Sequence, residues 1–178
     1  IVWYLALQLA ALVAIPLATR LLRWLPDHGY AASKSLGLLL VSVVAWLLGS
    51  YHLVSFGRGS VAIGLLVVAC IGIALWRGRL DEMARALRPS WRWIAVTEAL
   101  FLAGFLFFAF VRALNPDLWH SSASGEKTFD LAFFTAVIKS SHFPPYDPWF
   151  AGGYMNYYYF GWVVFGSIAH LTGIVPSV

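Results

Sequence analysis

The sequence predicts an all-α, polytopic transmembrane helix bundle of about five spans, with an outer amphipathic juxtamembrane helix. Three observations predict it. Apolar residues make up 61% of the chain and charged residues 11%, against about 45–50% and about 25% in soluble domains. The apolar residues gather in runs close to the ~20 residues that cross a bilayer as a helix. The charges gather between those runs. A water-soluble domain of 178 residues has no interior large enough for that apolar surface, whereas lipid covers it. Lipid cannot satisfy open backbone groups, so only helices and closed barrels span it. The period-two alternation of barrel strands is missing.

The five runs cover residues 1–19, 36–56, 60–76, 93–114 and 157–174. Pro16 falls near the end of the first and is tolerated there. The third is slightly short. Arg20, Arg23 and Lys34 follow the first run, and Arg77, Arg79, Arg85, Arg88 and Arg92 follow the third. Cytoplasmic connections carry such an excess of Lys and Arg, so these two are expected inside. The Gly57-Arg58-Gly59 turn and the long segment 115–156 are then extracytoplasmic, and each crossing reverses side once. Trp76, Trp91, Trp93, Trp119 and Trp149 lie near the expected interfaces, where amphipathic rings collect. Residues 80–87, between arginines and before Pro89, read as a short interfacial helix. The expected location is the plasma membrane, as a multi-pass protein.

The net charge is +4, but the positive residues report topology, so no nucleic-acid partner is expected. Cys70 is the only cysteine, which excludes an intrachain disulfide and gives no metal-binding pattern. Arg20 and Arg23 follow the first apolar run, the reverse of a cleaved signal peptide. The chain starts at Ile1 without methionine and stops just past an apolar run, so it reads as the N-terminal region of a longer protein. Two parts are expected. Residues 1–92 form a three-helix transmembrane region with a cytoplasmic connector, and residues 93–178 form a helix pair flanking the long outer loop.

Segment 115–156 is long for a loop, and long loops are functional or disordered. This one is too apolar for disorder. Asn115-Pro116-Asp117 ends the fourth helix. Ser124 is a plausible cap for a helix over residues 126–139, in which Phe129, Ala132, Phe133, Ala136 and Val137 fall on one apolar face. That helix is too short to span and is expected along the outer membrane surface. Glu126 and Asp130, four residues apart, project from one face, and Lys127 can pair with Asp130. Two such acids can hold a divalent cation through oxygen ligands, and one alone can act as a general base. The plainer reading is a solvated helix start where acids offset the macrodipole.

Beyond it, Pro144, Pro145 and Pro148 stiffen an extended path. Asp147 is either a turn-stabilising side chain or part of a substrate site. Gly152 and Gly153 allow close backbone approach. Asn156, Tyr157, Tyr158 and Tyr159 lead into the fifth run, as an interface belt or as a wall that stacks on a sugar or lipid head group.

Together Gly125-Glu126-Lys127, Asp130, Phe143-Pro144-Pro145, Asp147-Pro148-Trp149, Ala151-Gly152 and Asn156-Tyr157-Tyr158-Tyr159 resemble the YYY membrane proteins of Chloroflexi and archaea. The resemblance covers about residues 112–161. That family is in turn similar to the C-type glycosyltransferase fold, whose members use a polyprenyl-phosphate sugar donor and carry an essential acid in their first outer loop. The resemblance implies Asp130 as that acid and Glu126 as the second candidate. The usual adjacent acidic pair is split here, which weakens a metal role.

Among the remaining polar residues, Glu98 lies inside the fourth run and is expected to snorkel or to pair with Arg92. Arg112 and Lys139 can each hold a donor phosphate or simply sit at the interface. His120 and His142 share the outer loop without a zinc pattern. His52 and His170 read as helix-packing groups. The leading expectation is the N-terminal part of a membrane glycosyltransferase acting on a lipid-linked sugar donor at the outer leaflet. Its substrate-binding residues would be Arg112, Lys139, Asp147, Asn156, Tyr157, Tyr158 and Tyr159, and its partners membrane lipid and further membrane subunits. The alternative is a non-enzymatic transporter or structural subunit of a membrane complex.

Overall fold

A computed structural model of the chain describes residues 1–77, 79–115 and 127–174. It is helical throughout, with no strand among the described residues. In chain order come α1 (Val2–Leu21), α2 (Ser33–Ser50), α3 (Arg58–Leu75), α4 (Leu80–Leu87), a 3-10 turn (Arg88–Ser90), α5 (Trp91–Leu114), α6 (Lys127–Lys139) and α7 (Phe160–Thr172). Four helical stretches are long and apolar enough to cross a membrane, namely α1, α2, α3 and the continuous run from Leu80 to Leu114.

Helices α1, α2 and α3 run up, down and up as one bundle. In lipid, apolar attraction between helices is weak, so association depends on close packing, and small residues permit it. Each helix presents such a stripe at i, i+4 spacing, the spacing that stacks side chains on one face. On α1 it is Ala6, Ala10, Ala14 and Ala18, all buried. On α2 it is Gly37, Val41, Ala45 and Gly49, and on α3 Ser60, Gly64, Val68 and Gly72. Gly37 faces Ala10 and Ala14, Gly64 faces Val41, and Gly72 faces Pro16 and Leu17. Beside Pro16, the Trp76 indole N–H donates to the Pro16 carbonyl at 2.8 Å, and the Arg20 guanidinium lies over the Trp76 ring.

Helix α5 carries Ala95, Ala99 and Ala103 at the same spacing, but none of its residues is buried. It meets α1 through ring contacts of Tyr4 with Phe101 and Phe105 and through Glu98. The Ser90 hydroxyl donates to the Pro26 carbonyl, which anchors the start of α5 at the arginine-rich end of the bundle.

The fifth apolar run departs from expectation. It forms only 13 helical residues, about 20 Å at 1.5 Å per residue, short of the ~30 Å hydrocarbon core. Tyr159 precedes the first turn, and Gly173 in the left-handed conformation ends the last. Both ends of α7 meet the same end of the bundle. Phe160 packs on Trp46 near the end of α2, while the His170 carbonyl accepts from Arg58 Nε at the start of α3. Helix α7 therefore lies across the α2–α3 turn end. The expected topology had it descending to the arginine-rich end.

Candidate functional site

The long segment packs onto that same end. Helix α6 forms where its apolar face was expected and buries Phe133 and Val137. It lies beside α7, with Phe134 against Trp162. At its end the Phe56 amide donates to the Ser141 carbonyl at 2.7 Å, which clips the loop to the α2–α3 turn. Phe143 then inserts between elements. Its ring meets Phe56 edge-on at 5.0 Å and stacks on Tyr159 at 5.8 Å. Gly49 makes room for it, since a Cβ there would lie 2.9 Å from the Phe143 ring. The Tyr159 hydroxyl accepts from Trp46 Nε1 at 3.2 Å.

The stiff proline-rich path closes on itself. Tyr146 and Tyr154 form an antiparallel bridge. The Asp147 amide donates to the Gly153 carbonyl, and the buried Met155 donates its amide to the Pro145 carbonyl at 2.8 Å. Asp147 Oδ1 accepts from the amides of Trp149 and Phe150, at 2.8 and 3.2 Å. The turn-stabilising role of this aspartate is thus realised. Gly152 takes a φ of 80° to complete the turn.

Between α6, this loop and the α2–α3 turn lies a cavity of about 590 Å³, whose polar lining includes His52, Lys139, Ser140, Ser141, His142 and Asp147. The His52 and His142 rings stack, with centroids 4.3 Å apart and planes at 21°. Pairing of these two histidines was not anticipated, since no sequence pattern links a turn to a loop so far along the chain.

The expected site residues separate into groups. Lys139 and Asp147 meet at the cavity. Asp130 sits in the first turn of α6, half-buried, and forms no ion pair with Lys127 or any other described residue. It lies nine residues before Lys139, about 13 Å along the helix axis and on the opposite face. Tyr157 and Tyr158 are exposed, with ring centroids 4.0 Å apart. Tyr159 is half-buried against Phe143, and Asn156 is exposed beside Met155. Arg112 turns back on its own helix end, donating to the Asn115 carbonyl at 2.9 Å. Glu126, and with it the proposed two-acid cation site, lies outside the described residues, as do Trp119 and His120. No group of three His, Cys, Asp or Glu side chains suited to a metal forms among the described residues.

This arrangement of spanning helices under a packed loop is that of a membrane protein. The chain belongs to the DUF2298 family of uncharacterized membrane proteins. The match runs over residues 40–178, from within α2 through the loop and α7. No curated protein and no solved structure matches the chain.

A second polar cluster in this DUF2298 chain lies inside the helices. Glu98 does not pair with Arg92, whose guanidinium lies over the Trp91 ring. Its Oε1 accepts from Lys34 Nζ at 2.6 Å and from the Tyr30 hydroxyl at 2.8 Å. Its Oε2 accepts from Gln8 Nε2 at 2.6 Å. Lys34 Nζ also donates to Gln8 Oε1 at 2.7 Å. Burial, then the bond and charge of Glu98, push the Tyr30 phenol up to about 12. Lys34, read from the sequence as a topology marker, lies buried in the first turn of α2.

Proposed function

We propose that this chain is the N-terminal part of a membrane glycosyltransferase that takes a polyprenyl-phosphate-linked sugar as donor at the outer leaflet of the plasma membrane. One observation carries the reading. Helix α6 and the proline-rich loop are packed together across one end of a transmembrane bundle, around an open cavity that carries Lys139, Asp147, His52 and His142 on its wall, and Tyr159 stacks on Phe143 of that wall. A lipid-borne substrate keeps its chain in the bilayer and presents its head group at that depth.

In this reading Asp130, with Glu126 as second acid, accepts the proton of the acceptor hydroxyl as its oxygen attacks the anomeric carbon. The bond from that carbon to the donor phosphate breaks, and the phosphate leaves with the negative charge. Because Asp130 and Lys139 occupy opposite faces of α6, the two hold different parts of the substrates. Lys139 and Asp147 contact the donor from the cavity, on the face of α6 away from Asp130, and so bind parts of it remote from the reacting bond. The exposed Tyr157 and Tyr158 rings offer a stacking face to a sugar, and the Asn156 amide can bond its hydroxyls. The link to C-type glycosyltransferases is a likeness of motif, and function belongs to the site rather than to the fold.

The test is Asp130→Asn in the full-length protein, assayed for transfer from lipid-linked sugars. Loss of a general base lowers turnover by about 100-fold or more. Unchanged turnover removes Asp130 from the reaction. One observation favours a second, non-enzymatic reading as a transporter or structural subunit. Helix α5 buries none of its residues, so its apolar faces suit further membrane helices. In a structural subunit the Asp130→Asn protein would behave as wild type.

A further inference from the structure

The cavity gathers three cation-capable side chains from separate parts of the chain. His52 comes from the α2–α3 turn, Lys139 from the end of α6, and His142 from the loop that follows. The hydroxyl-bearing Ser140 and Ser141 share the wall. The stacked imidazoles lie with centroids 4.3 Å apart, a stable contact while both are neutral. A charge on either ring shares the cavity with its partner and Lys139, so an anion there would sit among three cation-capable groups. A transition metal would need further ligands around the two rings, and none of the described residues completes such a group.

The other titratable groups facing this space are Asp147, Tyr146 and Tyr154 from the closed loop. With both histidines neutral, Lys139 and Asp147 cancel and the cavity carries no net charge. With both protonated, its net charge is +2 by this count of lining groups. One Asp147 oxygen is already held by two turn amides. The space, about 590 Å³, is larger than a phosphate and has room for a group esterified to it.

We propose that this cavity is a proton-coupled phosphate site, in which Lys139, His52 and His142 hold a phosphate monoester or diester and binding draws protons onto the histidine pair. It shares the cavity with the transfer reaction proposed above but does not depend on transfer. The phosphate can belong to a lipid head group or to a free solute, and the test separates the two.

The full-length protein is reconstituted in phosphatidylcholine nanodiscs, with no sugar donor present. It is titrated with inorganic phosphate, and separately prepared with phosphatidic acid in the discs. Both are done at about pH 5.5 and about pH 8, either side of the ordinary histidine pKa. Histidine ¹⁵N shifts report protonation directly in the unaltered protein. The expected result is binding tighter by about 10-fold or more at the lower pH, with both rings moving to the protonated shift as ligand is added. His52→Gln/His142→Gln should flatten the pH dependence, and Lys139→Gln should weaken binding at both pH values. A response to inorganic phosphate assigns a free-solute site. A response confined to phosphatidic acid assigns a lipid head-group site. Absence of any response to either ligand, or a response without histidine protonation, overturns the proposal. Since no sugar is transferred in these measurements, failure of the transferase reading would leave their outcome untouched.

Discussion

Two polar clusters lie at different depths in this molecule, and they are built in opposite ways. Inside the helices, Gln8, Tyr30, Lys34 and Glu98 satisfy one another. Both Glu98 oxygens and the Lys34 ammonium have partners at 2.6–2.8 Å, and the Lys34 side chain is only 8% exposed. At the α2–α3 end, Lys139, His52, His142 and Asp147 line open space. A closed network of charges in an apolar surrounding specifies how elements sit together, because any other arrangement leaves a charge unpaired. An open set of charges is available to a ligand. The inner cluster, whose Gln8, Tyr30 and Glu98 also border a cavity of about 380 Å³, docks α5, whereas the outer one leaves its charges open to a ligand.

The sharpest way to break this contrast is to remove one partner from each. In the inner cluster, Glu98→Leu leaves the Lys34 ammonium unpaired inside the bundle. Removing one member of a buried pair costs about 3–5 kcal/mol. With the Glu98 side chain 29% exposed, a loss near the lower end, about 3 kcal/mol, is expected. Lys34→Met in the same chain should recover most of it. Denaturant unfolding in detergent micelles of the two single variants and the double variant measures the coupling. Additive losses would mean that the pair does not act as a unit. In the outer cluster, Lys139→Gln should leave unfolding unchanged within about 0.5 kcal/mol, as for exposed charges generally.

The contrast also explains what was legible in the sequence. Run length and apolarity located α1, α2, α3 and α5, because a lipid-covered helix announces itself residue by residue. The apolar face of α6 was legible for the same reason, and Val137 and Phe133 are buried as its spacing requires. Contacts between distant segments left no such trace. Lys34 read as a topology marker and Glu98 as a snorkelling group, since their pairing depends on the packing of α1, α2 and α5. The stripes of small residues were visible at i, i+4 but pass unnoticed when runs are scored by apolarity alone. Helix α7 was taken as a span because hydropathy carries no direction. Its course across the bundle is set by the contacts of Phe160 with Trp46 and of Arg58 with the His170 carbonyl. For the candidate site, Lys139 and Asp147 were named from their loop and line one cavity, whereas the His52–His142 stack depends wholly on the fold.

A smaller effect tests whether the two clusters are independent. Gly49 admits the Phe143 ring at the α2 end, far from Glu98. In Gly49→Ala the new Cβ would sit 2.9 Å from that ring, so Phe143 must shift and carry the loop with it. Overpacking of this kind costs about 1–3 kcal/mol. Phosphate or donor binding at the cavity should weaken, while the Lys34–Glu98 coupling energy stays the same. A change in that coupling would show that the clusters communicate through α2, and the contrast drawn here would fail.

The smallest expected effect lies in the outer cluster itself, at Asp147. Its carboxylate both faces the cavity and holds the turn amides of Trp149 and Phe150. Asp147→Asn keeps an acceptor oxygen for those amides and removes the charge, whereas Asp147→Ala removes both. Losing a hydrogen bond of this type costs about 1 kcal/mol, which corresponds to about fivefold faster amide exchange at Trp149 and Phe150 in the alanine variant. The asparagine variant should exchange nearly as the wild type. Its cavity, however, has lost the one negative charge on its wall, so phosphate binding at about pH 8 should tighten two- to threefold. Equal exchange in both variants would mean that the backbone bridge between Tyr146 and Tyr154 holds the turn without the side chain, and would leave Asp147 as a purely electrostatic element of the site.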